Sequence, residues 1–268
     1  MAGWDEYTKL LIHFNGTDGA QIYTAETGQI VSFVNTAQLD TEFKKFGTAS
    51  LLLDGNSDYI TVPDSDDWSF GAGNFTIDCW VRVKNVTSKH PVYEQYIDDG
   101  NHIRLYLELI NANTQYIQMA VWSGGTIRFY GYTNGLANIL LVDTWHHIEW
   151  TRSGDTNYLF VDGVAIAFVE ATAWNGSVPD LAVDPRIGHI ATWYLNGSLD
   201  ELRVSKGIAR HTANFDVPTE EYTPPQEAYP TSRLNKKVIT GYHCFMNQYI
   251  RAKRRDDIPL KLPDGTVF

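Results

Sequence analysis

The chain has 268 residues, 43% of them hydrophobic, 20% charged and 13% aromatic, with a net charge of −11. This composition excludes a disordered chain, a collagen and a coiled coil, and no apolar run approaches the roughly 18 residues of a membrane span. The charge is uneven: residues 1–224 hold 13 Lys and Arg against 28 Asp and Glu, whereas residues 225–268 hold 8 against 4.

An acidic body repels phosphate backbones, so nucleic acid is not an expected partner. The opening Met1-Ala2-Gly3-Trp4-Asp5-Glu6 lacks a basic leader followed by an apolar stretch, so no secretory signal is expected. Cys79 and Cys244 are too few for a disulfide framework or a zinc ribbon and read as buried apolar residues.

From Leu10 to Val204 the chain reads as short β runs separated by Gly, Asn and Asp turns. In order they are Leu10–Phe14, Ala49–Leu53, Tyr59–Val62, Phe75–Val83, His102–Leu109 and Tyr116–Trp122. Thr126–Tyr132, Trp145–Thr151, Tyr158–Val161, Val164–Val169 and Leu199–Val204 follow. Runs at this spacing with no helix between them predict an all-β, two-sheet antiparallel sandwich. Val161-Asp162-Gly163-Val164 is the clearest hairpin, because Asp-Gly supplies the positive φ angles of a tight turn.

Thr223-Pro224-Pro225 and Pro230 stiffen the exit into an extended linker. Beyond it, Val238, Ile239, Tyr242, Phe245, Met246, Tyr249 and Ile250 follow helical spacing, with Arg251, Lys253, Arg254 and Arg255 at the C-terminal end and Pro259 as the stop. Residues 8–222 are thus expected to form one domain. Residues 223–268 are expected to be a linker and a basic amphipathic tail, helical or extended, that lies on its own sandwich or docks to an assembly.

Strand parity gives the strongest functional signal. Ile103, Leu105, Leu107 and Leu109 oppose His102, Arg104, Tyr106 and Glu108; Ile117, Met119 and Val121 oppose Tyr116, Gln118, Ala120 and Trp122. Ile127 and Phe129 oppose Arg128, Tyr130 and Tyr132. Short turns join these strands, so their outer faces are expected to merge. Sugar C–H faces stack on aromatic rings, and sugar hydroxyls need amide, guanidinium and carboxylate partners. The expected glycan contacts are therefore Arg104, Tyr106, Glu108, Gln118, Trp122, Arg128, Tyr130 and Tyr132, with Trp174, Trp193 and Tyr194 as weaker loop candidates. A protein interface or a plain solvated sheet uses the same residue types.

Several segments resemble, in order, the laminin-G-like, concanavalin-A-like jelly rolls of lectin-type modules. They are Leu11-Ile12-His13-Phe14-Asn15-Gly16-Thr17, Phe46-Gly47-Thr48-Ala49-Ser50-Leu51-Leu52-Leu53-Asp54-Gly55 and Asp58-Tyr59-Ile60-Thr61-Val62-Pro63. Asn74-Phe75-Thr76-Ile77-Asp78-Cys79-Trp80-Val81-Arg82, Trp145-His146-His147-Ile148 and Leu159-Phe160-Val161-Asp162-Gly163 come next. Leu199-Asp200-Glu201-Leu202-Arg203-Val204-Ser205, before Gly207-Ile208-Ala209-Arg210, closes the match, and this ending looks most like modules of phage structural and bacterial surface proteins. The resemblance implies a structural Ca²⁺ tying the first strand region to the last, with Asp54, Gly55, Asp200 and Asn15 as candidate ligands.

Enzymatic signatures are weak. The paired-acid pattern of related glycosidases, Glu-x-Asp-x-x-Glu, does not occur, and parity is expected to send Asp200 and Glu201 to opposite faces. Arg104, Gln118, His102, Tyr106 and Tyr116 supply the residue types of polysaccharide lyases without their sequence motifs. His146 and His147 face opposite ways, with His146 expected to be a hydrogen-bonded core residue. Asp64-Ser65-Asp66-Asp67 reads as a turn, and the Asn-x-Ser/Thr sequences as turn chemistry.

The sequence thus predicts a non-catalytic, lectin-like module of a virion or surface assembly, with a cell-surface or extracellular glycan as partner. Other virion proteins would meet the tail, and the chain would be a homo-oligomer or part of a larger assembly. A virion structural or decoration protein that uses the jelly roll as a subunit contact is the alternative, and a polysaccharide lyase the minor one.

Overall fold

A computed structural model describes residues 4–223. The amphipathic tail and Cys244 lie outside these residues. In chain order the strands are β1 (Thr8–Ile12), β2 (Ile22–Thr24), β3 (Ile30–Val34), β4 (Gln38–Asp40), β5 (Ser50–Asp54) and β6 (Tyr59–Thr61). A single 3-10 turn at Asp66–Trp68 precedes β7 (Phe75–Val83), β8 (Lys89–Asp98), β9 (Asn101–Asn111), β10 (Thr114–Ser123) and β11 (Thr126–Tyr132). Then come β12 (Trp145–Ser153), β13 (Thr156–Val161), β14 (Val164–Ala165), β15 (Val169–Thr172), β16 (Arg186–Ile187), β17 (His189–Ile190), β18 (Trp193–Tyr194) and β19 (Asn196–Lys206).

The strands form the two-sheet antiparallel jelly-roll sandwich that the sequence predicts. The first sheet runs β14-β13-β12-β7-β19-β5-β4, with β1 also paired to β19. The second runs β15-β11-β10-β9-β8-β16-β6-β3-β2. Alternation along each strand fills the space between them: Ile77, Cys79, Val81, Ile148, Trp150, Leu202 and Val204 from one sheet meet Ile103, Leu105, Leu107, Ile117, Met119, Val121 and Phe129 from the other. Each such side chain, fully withdrawn from water, contributes about 1.5–3 kcal/mol.

The outer face of the first sheet is covered too. Thr76, Asp78, Trp80 and Arg82 alternate outward on β7 yet are buried. Phe43, Lys45 and Phe46 lie against Arg82 and Trp80, and the chain after β19 crosses the rest of this sheet as a strap. Arg210 N donates to Thr76 Oγ1 at 3.0 Å, the His211 ring pairs with Glu149 at 2.8 Å, and the Tyr222 hydroxyl donates to Asp78 Oδ2 at 2.5 Å. The predicted hairpin turn anchors the strap's middle, since Phe215 N donates to Gly163 O at 2.9 Å. Both turn residues take left-handed φ, 50° at Asp162 and 75° at Gly163, as a tight two-residue turn demands.

One parity expectation fails here. Glu201 has φ 50° and sits in an irregularity between Asp200 and Arg203, so the alternation slips by one residue. Asp200 lies opposite Trp80, and Glu201 accepts from Tyr222 N at 3.0 Å, so both acids lie on the covered outer side. His146 behaves as expected, pairing through Nδ1 with Asp162 at 2.7 Å and accepting from Leu141 N at 3.0 Å.

Candidate functional site

The second sheet brings the predicted polar-aromatic residues together on its outer face. Across β9, β10 and β11, Tyr106 lies opposite Gln118, which lies opposite Tyr132; Arg104 lies opposite Ala120, which lies opposite Tyr130. Glu108 faces Tyr116, and His102 faces Trp122. Arg128 sits in the irregularity between Ile127 and Phe129, at the β15 side of this face.

Gln118 organises the centre. Its Oε1 accepts the hydroxyls of both Tyr106 and Tyr130, each at 2.8 Å, and its Nε2 donates to Glu108 Oε2. Glu108 also meets Lys89 Nζ at 3.5 Å, and that ammonium lies 5.4 Å from the Tyr106 ring centre. Tyr130 and Tyr132 tilt against each other with ring centres 5.5 Å apart. At the next row His102 stacks on Trp122 at 5.9 Å and 27°. Burial, then the Arg104 charge, pushes the His102 pKa down to about 4, so this ring is neutral at pH 7.

Ala120 is the smallest side chain in this field. Arg104 and Tyr130 flank it from neighbouring strands, so their backbones stand about 9.6 Å apart, twice the inter-strand spacing. Gln118 and Trp122 bound the same floor along β10. Ala120 and Gln118 are themselves buried, so the rings and polar groups around them, not an open cavity, form the surface here.

Four contributors come from strands that the sequence reading passed over. Glu94 and Tyr96 lie on β8, Lys89 begins it, and Arg186 lies on β16. Arg104 Nε donates to Glu94 Oε1 at 2.7 Å while its guanidinium covers the Tyr96 ring at 4.7 Å. Arg186 Nη1 approaches Glu94 Oε2 at 3.9 Å, beyond hydrogen-bond reach. Glu94 is fully buried, and burial raises its pKa against the pull of Arg104. Pro91 and the irregularities in the β8 pairing break the period-two pattern, which is why this strand was not legible. The alternation of Tyr93 and Gln95 inward against Glu94 and Tyr96 outward was the available signal.

The loop aromatics divide. Trp174 joins the core, packing on Phe129 and under Arg152 at 3.6 Å, and does not belong to the face. Trp193 is 43% exposed on the β17–β18 hairpin, which packs against β8, with Lys89 Nζ 5.7 Å from its ring centre. Tyr194 tilts against His189 instead.

The four residues expected to hold calcium do not assemble. Asp54 lies opposite Asn196, four residues from Asp200 along β19, so Asp54 and Gly55 stand about 13 Å from Asp200. Asp54 caps its own turn, accepting from the backbone N–H groups of Asn56, Ser57 and Asp58. Asp200 turns its oxygens to the N–H groups of Lys45, Phe46 and Glu201, and burial pushes its pKa up to about 8. Asn15 accepts from Thr48 and donates to Glu221. The oxygens of Asp54 and Asp200 are thus already engaged by backbone N–H groups. His13, Glu201 and Glu221 do bring ligand atoms within 4.8 Å of one another, but the His13–Glu201 contact at 2.6 Å joins two of them directly.

No helix among the described residues is long and apolar enough to cross a membrane. No curated protein sequence matches the chain. Among solved structures, domain 4 of AbnA, a GH43 extracellular arabinanase from Geobacillus stearothermophilus in complex with arabinotriose, superposes with a TM-score of 0.54 at 14% identity, over 75% of this chain and 93% of that domain. The binding domain of Paraclostridial Mosquitocidal Protein 1 gives 0.54 at 11% identity, over 77% and 50%. The ligand-binding domain of botulinum neurotoxin serotype D, in complex with N-acetylneuraminic acid, gives 0.52 at 12%, over 76% and 48%. The chain thus spans about half the length of the toxin binding domains. At these identities the likeness is one of fold. The profile of the laminin-G-type family in the concanavalin A-like lectin/glucanase superfamily matches residues 54–211, and the chain belongs to that superfamily.

Proposed function

We propose that the chain is a non-catalytic carbohydrate-binding module whose site is the outer face of the second sheet. One observation carries this reading: the Tyr106 and Tyr130 hydroxyls are both fixed on Gln118, beside the small floor at Ala120 and the Trp122 ring. Pyranose C–H faces stack on such rings, and an amide and carboxylate held in place discriminate hydroxyl geometry at little entropic cost. The complexes of the AbnA domain with arabinotriose and of the neurotoxin domain with N-acetylneuraminic acid support a sugar as the class of ligand.

The face is poorly arranged for hydrolysis. Glu94 is held by Arg104, and Glu108 by Gln118 and Lys89, so neither carboxyl is free to serve as the acid or nucleophile of a glycosidase. The lyase residue types are occupied as well: Arg104 is held by Glu94, Gln118 by two tyrosines, and His102 lies against Trp122. We place the module in a phage particle or surface assembly, on the resemblance of the Leu199–Ser205 and Gly207–Arg210 segments to modules of such proteins.

The test is a glycan array probed with the full chain, followed by calorimetric titration of the best hit. Trp122→Ala and Tyr130→Ala are each expected to weaken binding by roughly tenfold or more, since stacked rings contribute about 1–3 kcal/mol, with the unfolding midpoint unchanged. An array with no hit, or affinity indifferent to both substitutions, overturns the reading.

A further inference from the structure

The proposed sugar face carries a charge that contrasts with the rest of the molecule. Residues 1–224 are strongly acidic, with 13 Lys and Arg against 28 Asp and Glu. On this face Lys89, Arg104, Arg128 and Arg186 stand against only two carboxylates, Glu94 and Glu108. Two further acids lie at its end and are engaged there: Asp98 Oδ1 accepts from Gly100 N and Asn101 Nδ2, and Asp99 accepts from the Tyr96 hydroxyl.

Pairing leaves two cations over. Lys89 is matched by Glu108 at 3.5 Å. The single Glu94 serves two guanidiniums, Arg104 at 2.7 Å and Arg186 at 3.9 Å, and Arg186 remains about one-third exposed. Arg128 has no carboxylate partner among the described residues; its one protein hydrogen bond there is Nη1 to Asn175 O at 3.4 Å. Its other N–H donors are uncommitted. Gly176 packs beside its side chain with a φ of 127°, and a Cβ there would lie 3.6 Å from Arg128 Cδ.

A guanidinium with free N–H groups matches a planar carboxylate in a two-pronged geometry. We infer that the glycan bound at this face carries carboxylates, as uronic and sialic acids do, with Arg128 as the main anion contact and Arg186 as the second. This rests on the carbohydrate-binding reading and adds the ligand's charge to it. Neutral sugars leave both cations without a counter-charge; an anionic one satisfies them where an acidic protein otherwise repels it.

The experiment uses matched pairs that differ only in charge or in the charged residue. The full chain is titrated calorimetrically with tri-galacturonate and its methyl ester, and with 3′-sialyllactose and lactose. The acidic member of at least one pair is expected to bind roughly tenfold tighter or more, a difference of one decade in Kd. Arg128→Gln, which removes the charge but keeps a polar, unbranched side chain, is expected to abolish that ratio while circular dichroism and the unfolding midpoint stay unchanged. Equal or tighter binding of the neutral members overturns the anionic preference and leaves the carbohydrate-binding reading standing. An intact ratio in Arg128→Gln overturns the placement at Arg128. No binding of any of the four, together with an empty glycan array, overturns both readings.

Discussion

Arg203 holds Asp78 through two parallel hydrogen bonds, Nε to Oδ1 at 2.9 Å and Nη2 to Oδ2 at 3.2 Å, with both side chains withdrawn from solvent. The Tyr222 ring lies over the same guanidinium at 3.8 Å, and its hydroxyl completes the carboxylate's partners. This pair pins β7, β19 and the strap to one another. Arg203→Met leaves Asp78 buried without its counter-charge and is expected to cost about 3–5 kcal/mol in urea unfolding at neutral pH. The double variant Asp78→Asn, Arg203→Met is expected to lose less than that single substitution, because no charge is then stranded.

Two of the buried acids of this sheet, Asp78 and Asp200, respond to pH in opposite senses. Burial alone would raise the Asp78 pKa, but the Arg203 and His147 partners bring it well below the ordinary carboxylate value. Its contribution is therefore present above the unfolded value of 3.8 and is lost as pH falls through the folded one. Asp200 is pushed up to about 8 by burial, so its contribution is full below 3.8 and is lost as pH rises towards 8. Unfolding free energy measured from pH 4 to pH 8 is expected to carry this downward slope. Asp200→Asn, which cannot titrate, is expected to flatten it whatever its absolute stability.

Gly163 stands where a hairpin turn touches the strap. Its φ is 75°, and a Cβ there would press into the carbonyl oxygen of Phe215. Gly163→Ala is expected to lose about 1–2 kcal/mol from the left-handed backbone alone, with more from the displaced strap. Thermal unfolding reads the loss, and faster proteolysis within residues 208–222 reads the displacement.

Gln118 offers a further test of the sugar face besides the rings themselves. Gln118→Met keeps the volume but removes the acceptor shared by Tyr106 and Tyr130 and the donor to Glu108. Glycan affinity is expected to fall about tenfold, the scale of one or two hydrogen bonds to fixed partners. The unfolding midpoint is expected to fall too, because Gln118 is buried and two hydroxyls lose their acceptor, so affinity is read at a temperature where circular dichroism shows the variant folded.

Much of the architecture was legible because alternation is strong where one side of a strand meets the core. Phe75–Val83 and Thr126–Tyr132 were read with the observed bounds, and the parity of β9, β10 and β11 held except at the irregularity where Ile127, expected inward, lies opposite Trp122. What escaped had a local cause each time. The short strands β2, β3, β4, β16, β17 and β18 are too brief to show a period, and Pro91 hides β8 with Glu94. The irregularity at Glu201 reversed a parity that the sequence could not reveal. Asp54 and Asp200, read together as one ligand set, lie far apart along paired strands, a matter of register that motif order does not encode.

The strap has a geometric consequence for how this sandwich can be mounted. Trp4 N donates to Thr223 O at 3.0 Å, so the path into the fold and the path out of it run side by side. Both lie with the first sheet, to which β1 and the strap belong. Entry and exit thus share one layer of the sandwich, and the tyrosines and Trp122 belong to the other.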